Sequence, residues 1–169
     1  MAERKYVINK EVAEQKLQRM ALEIAEELQG DNTEIIIIGI RNSGKVVADK
    51  LGALLRKELT APIKIISVIL NKITPKEIFL SEPGIDFNNK NVIVADDVVN
   101  SGKTLLYALR PLLYFQPKRI QTLVLVERMH KLFPVKSDYI GLTVATTAED
   151  NIMIEVKDGD IVGAYIADK

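Results

Sequence analysis

The stretch Asn91-Val92-Ile93-Val94-Ala95-Asp96-Asp97-Val98-Val99-Asn100-Ser101-Gly102-Lys103-Thr104 leaves few folds open. Residues 92–95 are an uninterrupted apolar run. Such a run, with no polar alternation, suits a central parallel strand covered on both faces. Asp96 and Asp97 follow where that strand is expected to end, and open α/β sheets bind ligands at the carboxyl ends of their strands. Asn100, Ser101, Gly102, Lys103 and Thr104 then supply hydroxyls, a flexible glycine and backbone N–H groups at the start of a helix. That is anion-binding chemistry, and phosphate is the usual anion. An Asp pair alone reads better as a helix cap beside a common turn. The strand in front and the turn behind favour the ligand reading.

A second unit repeats the pattern upstream. The β-branched run at 34–40 predicts another central parallel strand. It breaks into Arg41, Asn42, Ser43, Gly44 and Lys45, and a helix is expected from about 46 to 59. Small and cationic residues after a strand favour a second anion site, with Arg41 and Lys45 as cations and Gly44 allowing close backbone approach. Before this unit, residues 9–29 read as an amphipathic helix, capped by Asn9 and ended by Gly30. A third strand is expected at 62–70. Residues 71–89 are irregular, with Pro75, Pro83 and Gly84, and Ile78-Phe79-Leu80 is a brief strand in a hairpin. A helix over 104–115 should kink or stop at Pro111. Further strands are expected at 119–126, around Ile152 and at 161–166.

The chain has 169 residues, which suits one domain with a sizeable core. Lys and Arg number 23 and so do Asp and Glu, which argues against a strongly basic nucleic-acid binder. The absence of cysteine excludes a disulfide framework, a zinc–thiolate site and a catalytic thiol. No segment reads as a membrane span and residues 1–5 lead into no apolar signal core, so a cytoplasmic protein with no membrane partner is expected.

The strand, Asp96-Asp97, Val98-Val99 and Asn100-Ser101-Gly102-Lys103-Thr104 together resemble the phosphoribosyl-pyrophosphate (PRPP) loop of type I phosphoribosyltransferases. The resemblance implies a twisted, mostly parallel sheet flanked by helices, with a small hood built largely from the C-terminal half. It implies that residues 98–104 hold the 5-phosphate. Asp96 and Asp97 would then meet the ribose hydroxyls, directly or through Mg²⁺, a hard cation that prefers oxygen ligands. Arg41, Asn42, Ser43 and Gly44 match the family's pyrophosphate loop, which often carries a non-proline cis peptide. With Arg41 and the Asp pair as the catalytic set, these loops are expected to face each other across one concave site. Residues 71–89 match the family's mobile lid, here short, with Lys72, Lys76 and Ser81 but no Arg or Tyr.

Downstream, Leu125-Val126-Glu127-Arg128-Met129-His130-Lys131, Pro134-Val135 and Asp138-Tyr139-Ile140-Gly141 narrow the resemblance to the bifunctional pyrimidine-operon attenuator/uracil phosphoribosyltransferases. Nearly the whole chain is covered. The resemblance implies PRPP and a nucleobase or UMP as ligands, a homodimer, and Arg128, Met129 and His130 in the base pocket. Met129 stands where the family usually has Gly, so crowding of that pocket is expected. Purine enzymes of this class often have Asp where this chain has Asn100. An amide cannot act as a base, which favours uracil. Two other readings stay open: an RNA-binding regulator that senses nucleotide, with dispersed cations such as Arg4, Lys5, Lys16 and Arg19 forming its patch, and a homologue that binds PRPP with weak turnover.

Overall fold

The computed structural model describes residues 4–71 and 73–168. The uninterrupted apolar runs become adjacent strands of one sheet. β2 (Ile35–Ile40) lies between β3 (Ile63–Leu70) and β5 (Asn91–Val99), parallel to both. β6 (Arg119–Arg128) and β7 (Tyr139–Val144) continue the parallel order, while β4 (Ile78–Leu80) closes the other edge antiparallel to β3. The six-stranded order is β4-β3-β2-β5-β6-β7. Both faces are covered, which is why β2 is buried throughout and tolerates no polar alternation. One core lies under α1 (Lys10–Glu27) and α2 (Ser43–Glu58), with Leu17, Ile24, Ile37, Leu51 and Ile93. The other lies beneath α3 (Lys103–Ala108) and the segment before β5, with Ile38, Val94, Leu105 and Phe87. No helix among the described residues is long and apolar enough to cross a membrane.

A second, three-stranded sheet forms the hood: β1 (Lys5–Asn9), β9 (Asp160–Asp168) and β8 (Asp150–Lys157), all antiparallel. Its C-terminal origin is as expected. The contribution of β1 is not legible in the sequence, because a five-residue strand abutting a helix leaves too little pattern. Asn9 ends β1 and also caps α1, its Oδ1 accepting from Val12 N–H at 2.9 Å.

Of the boundaries that differ from expectation, three have a plain local reason. β5 runs through the Asp pair to Val99, because β6 pairs with it as far as Glu127. α2 starts at Ser43, so Gly44 and Lys45 sit in its first turn rather than in a loop. The predicted helix over 104–115 divides into α3 and a 3₁₀ helix, Arg110–Tyr114. Pro111 has no N–H to donate, and Leu112 N–H bonds the Leu109 carbonyl three residues back.

Phe87 anchors the irregular segment. It is fully buried and meets Phe115 edge-on, with ring centroids 5.2 Å apart. Phe87→Leu is expected to destabilise the protein by about 1 to 2 kcal/mol. The thermal midpoint should fall by roughly 2 to 8 °C in calorimetry. An unchanged midpoint would show that this anchor is dispensable.

Candidate active site

Because β2 and β5 are parallel neighbours, with Gly39 opposite Ala95, both motif loops leave the same edge of the sheet. They meet there. A Cβ built on Gly44 would lie 2.8 Å from Asp96 Oδ1 and 3.0 Å from the Ala95 carbonyl oxygen. Beside this junction opens a cavity of about 850 Å³. Of the predicted phosphate loop, Val98, Val99, Asn100, Ser101, Gly102 and Thr104 border it. Gly102 has φ +85°, a left-handed conformation that a side chain would strain.

The two carboxylates part company. Asp96 is buried, borders the cavity and accepts the Asp97 N–H at 2.9 Å through Oδ1. Asp97 is also buried, but it does not border the cavity and its Oδ1 accepts Val98 N–H at 2.8 Å. Lys103 lies off the cavity too. Its ammonium donates to the Ile73 carbonyl at 2.8 Å, holding the short segment after β3 against α3, while Arg110 donates to the Lys76 carbonyl at 3.3 Å. Lys72, named with that segment, lies outside the described residues.

The Arg41–Asn42 peptide is cis, as the resemblance implies. Arg41 and Asn42 are exposed and do not border the cavity. Arg41 Nε donates to the buried Ser67 hydroxyl at 3.1 Å, which holds the side chain along the end of β3. The second loop thus touches the first through Gly44, with its cation at the margin.

On the opposite wall, Arg128 and His130 border the cavity. Arg128 donates to the Thr147 carbonyl at 2.8 Å, while its buried Nε has no protein partner. Thr147 in turn gives its N–H and hydroxyl to Asp150, which keeps that carboxyl below its ordinary range. Met129 corrects the expectation of a crowded pocket. It is 54% exposed and absent from the cavity wall, and its N–H donates to the Val144 carbonyl. β6 ends at Arg128 and the chain bends at Met129, which turns its side chain to solvent.

Sequence reasoning missed what builds this wall. Glu127, buried, accepts from the N–H and hydroxyl of Ser137 at 3.0 and 2.9 Å and pairs with Lys131 at 3.4 Å. This pins the excursion between β6 and β7. Leu132 and Phe133 N–H groups then both donate to the Ser101 carbonyl, joining the excursion to the turn at 98–104.

The fold is that of solved phosphoribosyltransferases. A hypoxanthine phosphoribosyltransferase of Trypanosoma cruzi superposes with TM-score 0.76 at 16% identity, covering 94% of this chain and 95% of its own. A hypoxanthine-guanine phosphoribosyltransferase of Bacillus anthracis gives 0.72 at 19% identity, with 95% and 96% covered. The Phosphoribosyl transferase domain matches residues 7–157, and the chain belongs to that family. Within it, the chain is similar to bifunctional proteins PyrR. It is 30% identical to that of Bacillus cereus over 172 residues, covering 95% of this chain and 94% of the relative. It is 27% identical to that of Enterococcus faecalis over 165 residues, with 93% and 92% covered.

Proposed function

We propose that this phosphoribosyltransferase moves the phosphoribosyl group of PRPP to uracil, giving UMP and pyrophosphate. The observation that carries the reading is that Asp96, six residues of the turn at 98–104 and Arg128 border one cavity. The turn holds the 5-phosphate through main-chain N–H groups and the Ser101 and Thr104 hydroxyls. Asp96 accepts from the ribose hydroxyls, with Asp97 keeping the strand end in place behind it. Arg41 and the backbone at 42–44 receive the pyrophosphate, and Arg128 and His130 border the base. Pyrophosphate leaves as the base nitrogen bonds to C1 of the ribose and sheds its proton. The protein's part is to position the two reactants and to complement the charge that develops.

Asp96, which borders the cavity, would hold Mg²⁺ together with substrate oxygens, and the ion would neutralise charge on the pyrophosphate. The donors suit it. Among the described residues no cluster of three or more His, Cys, Asp or Glu is arranged to hold a metal. Mg²⁺ in phosphate sites usually takes one or two carboxylates and completes its shell with substrate and water oxygens.

Uracil is preferred to a purine because Asn100 has no basic group, and its amide is engaged elsewhere, with the backbone of Ile152. The purified protein should convert uracil with PRPP and Mg²⁺, with hypoxanthine, guanine and adenine as controls. Binding of PRPP without turnover of any base would leave a nucleotide-binding homologue instead. The relatives' name, bifunctional, favours a second activity, and RNA regulation is its form in the resembled family. Of the dispersed cations, Arg4 lies over the Tyr165 ring at 4.7 Å and pairs with Glu155, and Arg19 pairs with Glu23 and the Ile140 carbonyl. Salt-dependent binding of a structured leader RNA, with and without UMP, tests that role. Affinity no higher than for arbitrary RNA sinks it.

A further inference from the structure

Asn100 does something that its place in the phosphate loop does not require. Its Nδ2 donates to the Ile152 carbonyl at 3.0 Å and its Oδ1 accepts the Ile152 N–H at 2.9 Å. The side-chain amide therefore copies one rung of a β-ladder. Ile152 belongs to hood strand β8 and is fully buried in the core shared with α1 and α2. Its neighbour Asn151 and the preceding Ala148 border the cavity, and so does Asn100. At the far end of β8 the hood is held differently: Asp160 is paired with Lys10 at 2.6 Å and with Lys50. Those are partly exposed ion pairs, which contribute little. The amide clip ties the cavity end of the hood to the phosphate loop.

We propose that Asn100 is a positioning residue that locks strand β8 to the phosphate loop, so that Asn151 and Ala148 hold their place on the cavity wall. The phosphate cradle and the hood side of the cavity then move as one body. This rests on the nucleotide-binding reading of the site for its consequence, though not for the clip itself. Only a group that both donates and accepts in this geometry can fill the role. A carboxylate accepts alone and would face the Ile152 carbonyl with like charge. A protonated carboxyl both donates and accepts, as the amide does.

That difference gives the test. UMP affinity is measured by calorimetry for the wild type, Asn100→Ala and Asn100→Asp at pH 8 and pH 5, alongside amide exchange at Ile152. Burial and the facing carbonyl raise the introduced carboxyl above its ordinary value of about 3.9. His130 and Arg128 on the cavity wall, Asp96 on β5, and Asp150 and Glu155 on β8 are common to all three proteins, so each ratio to wild type is taken at one pH. Relative to wild type, N100A should bind UMP about 5- to 100-fold more weakly at both pH values. N100D should match that loss at pH 8 and recover most of it at pH 5. Ile152 exchange should quicken in parallel, and the thermal midpoint of N100A should fall by a few degrees. Wild-type affinity in N100A, or an N100D deficit independent of pH, overturns the proposal. If the wild type binds neither UMP nor PRPP, the functional reading fails instead. Ile152 exchange then decides on the clip: unchanged exchange in N100A refutes it, and N100D exchange that slows again at pH 5 supports it.

Discussion

Asp96→Asn is expected to lower kcat for uracil phosphoribosylation by about 10²- to 10³-fold, the usual loss when one preorganised electrostatic group is removed from a reacting centre. The substitution keeps size and shape. The amide oxygen can still accept the Asp97 N–H, so the strand end should keep its form. What is lost is the charge at the cavity edge, beside Gly44 and the second loop. The KM for PRPP should change much less than kcat, because the phosphate loop is untouched. Asp97→Asn is the comparison. Its carboxylate stands off the cavity and holds Val98 N–H, so its loss should be smaller and accompanied by a lower thermal midpoint. Steady-state kinetics of the two variants separate the roles. Equal losses, or full activity in D96N, would remove Asp96 from its place in the mechanism.

Gly44→Ala should cost about 10²-fold in kcat/KM and about 1 to 3 kcal/mol in stability. The added methyl group would meet Asp96 Oδ1 at 2.8 Å, the Ala95 carbonyl oxygen at 3.0 Å and Asp96 Cα at 3.1 Å. Two of those atoms are backbone of β5, which is held between β2 and β6 by ladder hydrogen bonds on both sides. The central strand cannot yield, so the start of α2 must move away from it. That shift opens the junction of the two loops and displaces the Asp96 carboxylate. Kinetics and thermal unfolding of one preparation test it. A lower midpoint with unchanged kcat/KM would show that the second loop is structural and takes no part in the site.

Much of the framework was legible in the residues. The runs at 35–40 and 92–95 are apolar without alternation, and that pattern has few homes other than the middle of a parallel sheet. Asn9 and Gly30 bracket α1, and Pro111 breaks the helix that follows the phosphate loop. Lys157-Asp158-Gly159-Asp160 also carried an unread signal. Asp158 and Gly159 both have positive φ and join β8 to β9 in a tight hairpin. The hood was thus partly written in the chain, although its β1 strand was not.

The cavity was a different matter, because a motif names residue types and not the directions in which side chains point. Asp96 and Asp97 look equivalent in the string, yet only Asp96 borders the cavity. Arg128, Met129 and His130 look like one pocket segment, but the bend after β6 leaves Met129 in solvent. The partner of Asn100 lies in Ile152, so far along the chain that no local pattern could announce it.

The opening stretch alone determined a central strand, a carboxylate at the sheet edge and an anion-binding turn, because strand burial and turn chemistry are set by residues close together in sequence. Tertiary structure alone decided which carboxylate borders the cavity, which loop lines it, and that the hood is clipped to the turn at 98–104 through one amide. Those outcomes depend on contacts between β5, α2 and β8, whose geometry exists only after the sheet and hood have packed.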